Sequence, residues 1–405
     1  MEIRLKRPSD IIWVYGAHGL IHANTLAYPS VLVLLKREYD SWFVLGALAT
    51  ASTMAFGLLG LPAGYLADRF GARRVLLLSL TGSALACIAA GLSPGLLTLG
   101  LSLVALGAFG GFYHPPALAL ITTYLPKSGR ALGMHGVGGN VGIAIAPLGL
   151  GIFASLTNWH GAFLLMGALG LVYSALAAWR LPRAKAPHQH QHAAAQEEER
   201  LASFRSRLPE LIAIYLIILT LGFVYNGFIA YLPAYLTERS PGAVSGVLAG
   251  GALSTLVLFF GVLGQYGGGL AAETSRLRES YLAAAVVVAF GLSVMGSTGG
   301  WTMVLAGILA SILLFSGQPM GNALLARLTP PGRRGITFGL SFTLSFGVGS
   351  LAAGAMGYVA DQVGLHGVFV GLGLAALPAV AAGVVLVTRM RPKATSMEAT
   401  RGMEV

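Results

Sequence analysis

Charged residues are scarce in this sequence. Of its 405 residues, 10% are Asp, Glu, Lys or Arg and 55% are hydrophobic, whereas a soluble domain carries about 25% charged residues. The sequence also lacks a disulfide framework, because its single cysteine, Cys87, lies in an apolar run. The basic start leads into an apolar run that is too long and too rich in polar residues for a cleavable signal, so we expect none. Most of this chain cannot face water.

Long apolar stretches separated by charges predict twelve membrane-spanning helices. About 20 helical residues cross the hydrocarbon core of a bilayer, and the chain has room for a dozen such helices. The predicted spans, numbered 1 to 12, are 11–35, 42–66, 74–92, 96–124, 131–156, 161–180, 209–236, 243–267, 281–297, 301–326, 335–359 and 364–388. The predicted fold is therefore an all-α membrane protein with twelve transmembrane helices.

The basic residues indicate the topology of these spans. With a cytoplasmic N-terminus, 23 of the 26 Lys and Arg residues fall on the cytoplasmic side, as the positive-inside rule requires. We therefore expect a multi-pass protein of the cytoplasmic (inner) membrane with both termini in the cytoplasm. Because this topology accounts for the net charge of +11, we expect no nucleic-acid partner.

The two halves of the chain repeat each other. At an offset of 204 residues, His22 matches Asn226 and His114-Pro115 matches Gln318-Pro319, and Asp68 matches Glu273 one residue later. This repeat predicts two pseudo-symmetric six-helix bundles at 1–180 and 209–391, joined by a cytoplasmic linker at 181–208 and followed by a cytoplasmic tail at 392–405. The linker contains alternating His and Gln at 188–192, which is either a solvated segment or a metal-binding tract.

No Asp or Glu lies in the middle of a predicted span, although 15 are present. Many proton-coupled transporters use a buried carboxylate, so any proton-carrying side chain inside these spans must be a histidine. His18 and His22 share one face of span 1, as residues four apart do. They either pack against neighbouring helices or line a cavity as substrate or proton groups. A metal site is a further option, but no suitable third ligand lies near them in the sequence.

Other polar residues inside the spans extend this candidate site. Proline frees backbone carbonyls and bends helices, and in both halves a polar residue stands just before such a proline, His114 or Gln318. These two either line the cavity or only mark structural kinks. His135, His160 and His366 are predicted to lie at interfaces. The candidate substrate and proton site comprises His18, His22, Asn24, Tyr28, Tyr113, His114, Tyr225, Asn226, Tyr231, Gln318 and Asn322.

A short charged turn separates spans 2 and 3. It reads Gly-x-x-x-Asp-Arg-x-Gly-x-Arg-Arg over residues 64–74 and has a degenerate copy at 269–278. This pattern resembles the loop between helices 2 and 3 of major facilitator superfamily transporters. The resemblance implies two parallel bundles that rock around a central site lined by spans 1, 4, 7 and 10. It also implies a conformational latch comprising Gly64, Asp68, Arg69, Gly71, Arg73, Arg74, Glu273, Arg130 and Arg334.

Further blocks resemble a subfamily. Residues 110–115, 138–142 and 331–335 are similar to blocks of fosmidomycin-resistance-type transporters. This resemblance implies proton-driven drug export, with which that subfamily is associated. In span 4, however, residues 106–111 lack the arginine that many drug exporters of the superfamily carry. The spacing of Gly133, Gly142, Pro147 and Gly151 resembles the helix-packing motif of exchangers in the superfamily; general glycine richness is the other explanation.

These observations predict a secondary active transporter that works by alternating access. We expect efflux of a small organic compound or drug in exchange for protons, by a monomer in the lipid bilayer that needs no cofactor and no metal. Uptake or exchange of a small, possibly anionic, metabolite is the alternative. A non-transporting sensor or scaffold is a second alternative, which lacks support from an appended soluble domain. No nucleophile–base pair emerges, so an enzyme is not expected.

Overall fold

The computed structural model describes residues 8–125, 129–181, 207–240, 246–330 and 334–389. Within these residues every regular element is a helix. Eleven helical stretches there are long and apolar enough to cross a membrane, which confirms the predicted all-α membrane fold. The predicted linker and tail fall almost wholly outside the described residues, so the predicted domain boundaries stay predictions.

The observed helices follow the predicted spans and keep their numbers. Spans 1 to 6 are Ile12–Ser30 with Leu32–Tyr39, Trp42–Phe70, Ala72–Gly91, Leu96–Gly111 with His114–Tyr124, Gly129–Leu156 and Trp159–Arg180. Spans 7 to 12 are Leu208–Arg239, Val247–Ala272, Leu277–Ser297, Gly300–Leu328, Arg334–Phe342 continued by Thr343–Val348 and Leu351–Val363, and Leu365–Ala375 with Leu377–Arg389. A short 3₁₀ helix, Pro8–Ile11, precedes span 1.

Of the twelve predicted spans, span 1 does not count among the eleven apolar stretches. Histidines and an asparagine interrupt its hydrophobic sequence. It nevertheless packs into the centre of the molecule, against spans 5 and 7. Pro29 is the penultimate residue of this helix, which breaks at Val31, as expected next to a proline, which lacks an N–H donor. Polar side chains are tolerated in this helix because protein surrounds it.

Three other spans depart from regular α-helix, two of them where they approach the centre. Span 4 breaks at Phe112 and restarts at His114, ahead of two prolines. Span 11 passes through a π-helical stretch at Thr343–Val348, which loosens the backbone hydrogen-bond ladder. Span 12 is interrupted at Ala376. The irregular part of span 11 offers carbonyl oxygens to other spans, that of Ser345 to Asn226 and that of Ser350 to Thr50.

The halves of the chain meet along two long seams, span 2 against span 11 and span 5 against span 8. Glycines permit the close approach, since a Cβ on Gly57 would collide with the backbone of Gly347, and one on Gly251 would lie 2.6 Å from the Pro147 carbonyl oxygen. Small residues at helix contacts let backbones approach in this way. We call the end where span 1 begins and span 2 ends the terminal face, and the opposite end the far face.

Candidate functional site

A central cavity lies between the two halves. Its walls come from spans 1, 2, 4, 7 and 11, which include His22, Thr25, Leu26, Tyr28, Pro29, Ala49, Ser52, Thr53, Phe56, Leu103, Leu106, Gly107, Tyr225, Asn226, Ile229, Ala230, Phe346 and Ala353. None of these residues carries an acid, lysine or arginine side chain. The cavity is therefore mostly apolar, with a few hydrogen-bonding groups, which is typical of sites for small organic ligands.

The amide of Asn226 is fixed at the edge of this cavity. Its Nδ2 donates to the carbonyl oxygens of Gly222 (2.7 Å) and Ser345 (2.8 Å), and Ser345 belongs to the π-helical stretch of span 11. Both amide protons are thus used inside the protein. The Oδ1 atom is left as an acceptor for a donor group in the cavity.

Four histidines form a second cluster beside the cavity: His18, His22, His114 and His135. His18 is 7% and His135 5% exposed. The His18 and His135 rings stack with centroids 3.9 Å apart and 7° between the planes, and the Tyr113 ring also stacks on His18, at 5.4 Å. His114 meets the edge of His18 at 5.1 Å. Gly139 makes room for this arrangement, because a Cβ there would lie 2.5 Å from His18 Cε1.

Hydrogen bonds fix the ring tautomers in this cluster. His18 Nδ1 lies 2.6 Å from the His135 carbonyl oxygen. A carbonyl only accepts, so Nδ1 carries the proton and the Nε2 atom of neutral His18 has a lone pair. His22 Nε2, 3.0 Å away, donates to that lone pair. The Tyr113 hydroxyl donates to the Val14 carbonyl oxygen (2.6 Å), so His135 Nε2, 3.2 Å from the hydroxyl oxygen, acts as the donor there.

The cluster and the cavity are connected through His22, which belongs to both. On the terminal-face side, Phe342 packs against Phe56 (5.6 Å between centroids) and against His114 (5.5 Å). Phe56 in turn contacts Phe346 at 5.6 Å. These aromatic rings from spans 2 and 11 lie between the central cavity and the terminal face.

Two of these observations correct the sequence analysis. His135 was expected at an interface, but the fold buries it against His18 because span 5 packs on span 1. No third ligand was expected near His18 and His22, yet span 4 brings His114 there, and the ligand atoms of the three lie within 4.8 Å of one another. The position of His114 beside His18 and His22 left no trace in local spacing. For His135 the one local signal was the glycine pair 138–139, which lies against span 1.

The other predicted site residues fall into separate groups. Tyr28 and Tyr225 line the cavity with His22 and Asn226, and Tyr113 and His114 belong to the histidine cluster. The structure does not bring the remaining four into either place. Asn24 is buried, Tyr231 donates to the Ala353 carbonyl oxygen (2.7 Å), and Gln318 and Asn322 lie on exposed parts of span 10. Spans 2 and 11, which the sequence analysis omitted, line the cavity where span 10 was expected.

The charged turn between spans 2 and 3 lies on the terminal face. Gly71 has φ +90°, which favours glycine in this turn. Arg73 reaches span 6, where its Nε donates to the Leu181 carbonyl oxygen (3.1 Å) and its Nη2 to that of Ala178. Asp68 and Glu273 are exposed. The side chains of Arg130 and Arg334 lie outside the described residues, so the latch stays a prediction.

The fold and its cavity can be compared with known proteins. The Major Facilitator Superfamily profile matches residues 15–274, more than half of the chain. The chain belongs to this superfamily. The structure of a POT family transporter in complex with 5-aminolevulinic acid superposes with a TM-score of 0.75 at 16% identity, covering 95% of this chain and 97% of that chain. A bacterial homologue of the lysosomal transporter Spinster, inward-facing and occupied, gives 0.74 at 17% identity and the same coverage.

Relatives in the superfamily match parts of the sequence. The puromycin resistance protein of Streptomyces alboniger is 36% identical over 27% of this chain and 23% of its own length. The multidrug resistance protein MdtG of Citrobacter koseri is 30% identical over 42% of this chain and 44% of its own. The D-galactonate transporter of Escherichia coli is 28% identical over 32% and 31%. The chain thus covers less than half the length of each of these relatives. By family and fold it is a multi-pass membrane protein of a superfamily of transporters.

Proposed function

We propose that this transporter exports a small organic compound through the central cavity in exchange for protons. The observation that carries the proposal is the cavity itself, which residues of both halves line with aromatic and aliphatic side chains and no acid, lysine or arginine. A site of this kind suits an uncharged or weakly charged molecule, because a strongly charged one would lose its hydration without gaining a partner. A site between two halves is also what alternating access requires.

Polar groups in the cavity define the expected ligand further. Oδ1 of Asn226 accepts a hydrogen bond, and His22, Ser52 and Thr53 offer additional polar contacts. The aromatic rings of Tyr28 and Phe56 supply apolar area. We therefore expect a compound with an apolar or aromatic body and at least one hydrogen-bond donor. Export is supported by two relatives that are named for resistance to puromycin and to multiple drugs.

Proton exchange is proposed at the histidines. Within the described spans the carboxylates stand at helix ends, while His22 contacts the cavity and His18 together. A proton on His22 would compete with a cationic or donor group of the substrate at the same place, which is how antiport couples two ligands. The distribution of Lys and Arg supports a terminal face on the cytoplasmic side. We also propose that the protein is a monomer in the cytoplasmic membrane.

A second candidate is uptake or exchange of a small anionic metabolite. It rests on the similarity to the D-galactonate transporter. It also rests on His22, which lines the cavity and would attract an anion when protonated. A fosmidomycin-like phosphonate would belong to this class of anions, so the predicted subfamily is compatible with either direction. A sensor without transport is disfavoured by a cavity that residues of both halves line.

The test uses full-length protein in liposomes that contain a pH-sensitive dye. Uncharged aromatic compounds, phosphonates and sugar acids are added under a proton gradient, to wild type, His22→Gln and the control His366→Gln, which alters an exposed far-face histidine. We expect proton flux driven by an aromatic compound, lost in His22→Gln and kept in the control. Flux driven only by sugar acids would favour the second candidate. Transport without proton movement would overturn the antiport mechanism.

A further inference from the structure

Three histidines from two distant spans converge on one point. The ligand nitrogens of His18, His22 and His114 all lie within 4.8 Å of one another. We propose that these three members of the histidine cluster form a binding site for one divalent transition-metal ion of the Zn²⁺ or Co²⁺ type. The site stands on geometry alone and does not depend on the proposed export function.

The spacing of the nitrogens suits an imidazole-bound metal. Zinc binds histidine nitrogen at about 2.0–2.1 Å in tetrahedral geometry, which places neighbouring ligand nitrogens about 3.3 Å apart. The Nε2 atoms of His18 and His22 are 3.0 Å apart. Residues four apart on a helix are the usual way to present two such ligands. The ligand nitrogen of His114 lies within 4.8 Å of both, so a bound metal would draw it closer.

The partner of His18 Nδ1 gives a second indication. A metal-bound histidine almost always donates its other ring N–H to a carbonyl or carboxylate, which fixes the ring and directs the lone pair at the metal. His18 Nδ1 donates to the His135 carbonyl oxygen at 2.6 Å. Stacking against the rings of Tyr113 and His135 holds the plane of the His18 ring. His18 is therefore oriented as a metal ligand in advance of any metal.

His114 supplies the third indication. Its Nε2 atom is buried and has no hydrogen-bond partner among the described residues. Buried polar atoms in proteins nearly always have a partner, so an unpaired nitrogen beside two other ring nitrogens calls for a ligand. The rings of Phe56 and Phe342 cover His114 on the other sides, so those sides offer it no polar partner.

Three histidines leave a fourth coordination position. His22 lines the central cavity, so that position opens towards the place where we expect the transported compound. Sites with three protein ligands and one open position accept water or a substrate atom. The metal would use the same lone pairs as protons, and His22 would shift its ring proton to Nδ1. Bound metal is thus expected to block proton exchange at these histidines.

Metal binding is measured directly on purified protein. The full-length chain carries His188→Gln, His190→Gln and His192→Gln to remove the histidine tract of the linker, and is purified through a tag that contains no histidine. Co²⁺ is titrated and followed by calorimetry and by its visible absorption, which is intense for four-coordinate cobalt. We compare this background with added His18→Gln, His22→Gln, His114→Gln or His366→Gln. Size-exclusion profiles and thermal unfolding confirm that each variant is folded.

We expect one Co²⁺ per chain with a four-coordinate spectrum. Each substitution in the cluster should weaken binding at least about tenfold, and His366→Gln should leave it unchanged. Absence of stoichiometric binding in the background protein would overturn the proposal, as would binding that survives all three cluster substitutions. Because no transport is measured, failure here is distinct from failure of the export proposal.

Discussion

The carboxylate of Asp361 accepts a hydrogen bond from the backbone N–H of Trp42 at 2.8 Å. It also accepts from the N–H of Phe43 (2.9 Å) and from the Ser41 hydroxyl (3.0 Å). Asp361 lies in the last turn of span 11 in the second half, whereas these donors begin span 2 in the first half. A carboxylate at a helix N-terminus satisfies unpaired N–H groups and gains from the helix dipole. The two halves are thereby joined at the far face.

Loss of this carboxylate should favour separation of the halves at the far face. For Asp361→Asn we expect a cost of about 1 kcal/mol to the closed arrangement, similar to the loss of a helix cap, and hence a roughly fivefold larger open population. Pulsed EPR distances between labels at Arg37→Cys and His366→Cys, in a Cys87→Ser background, measure the population that is open at the far face. Gln362→Asn, at the exposed neighbouring position, is the control. An unchanged distance distribution in Asp361→Asn would contradict the prediction.

Gly142 should tolerate no side chain, because a Cβ there would collide with the backbone of Gly19 in span 1. Overpacking of this kind costs typically about 1–3 kcal/mol, so Gly142→Ala should lower the temperature of thermal unfolding in detergent. Gly133→Ala is the matched control in the same helix, since a Cβ at Gly133 meets nothing within 4 Å. Equal effects of the two substitutions would show that spans 1 and 5 are less tightly packed than described.

Arg73 should stabilise the end of span 6. Its guanidinium donates to the carbonyls of Leu181 and Ala178, and hydrogen bonds that involve a charged donor contribute about 1.5–3 kcal/mol, less where solvent reaches them. We expect Arg73→Ala to lower the free energy of unfolding by about 1–2 kcal/mol. Arg74→Ala is the control and should cause a smaller loss, because the Arg74 side chain is exposed. Thermal unfolding in detergent measures both variants, and a larger loss in Arg74→Ala would refute this role.

Asn226 should set affinity for the transported compound. Both of its amide protons are bound inside the protein, so Asn226→Asp removes the donors and should disturb the π-helical stretch, whereas Asn226→Leu also removes the acceptor. We expect KM for the exported compound to rise at least about tenfold in Asn226→Leu, as for a lost hydrogen bond of about 1.5 kcal/mol. Thr237→Val, which alters a hydroxyl bonded within its own helix, should leave KM unchanged.

The sequence was sufficient for the overall architecture. Lipid forces every backbone polar group into a helix, so hydrophobic length alone predicted the spans. The repeat places His22 and Asn226 at matching positions, and both residues line the cavity. A bend was predicted at Pro115, where span 4 is interrupted, whereas the break after Pro29 in span 1 was not predicted. The π-helical stretch in span 11 was missed because it contains no proline or other local signal.

Composition and local pattern alone predict that the chain is helical, that it lies in a membrane and that histidines are its embedded side chains that titrate near neutral pH. Which of these histidines meet depends on the packing of the helices. His114 joins His18 and His22 because spans 1 and 4 converge, and His135 joins them because glycines let spans 1 and 5 approach closely. Contacts between residues about 100 positions apart depend on how whole helices pack, which no local spacing encodes.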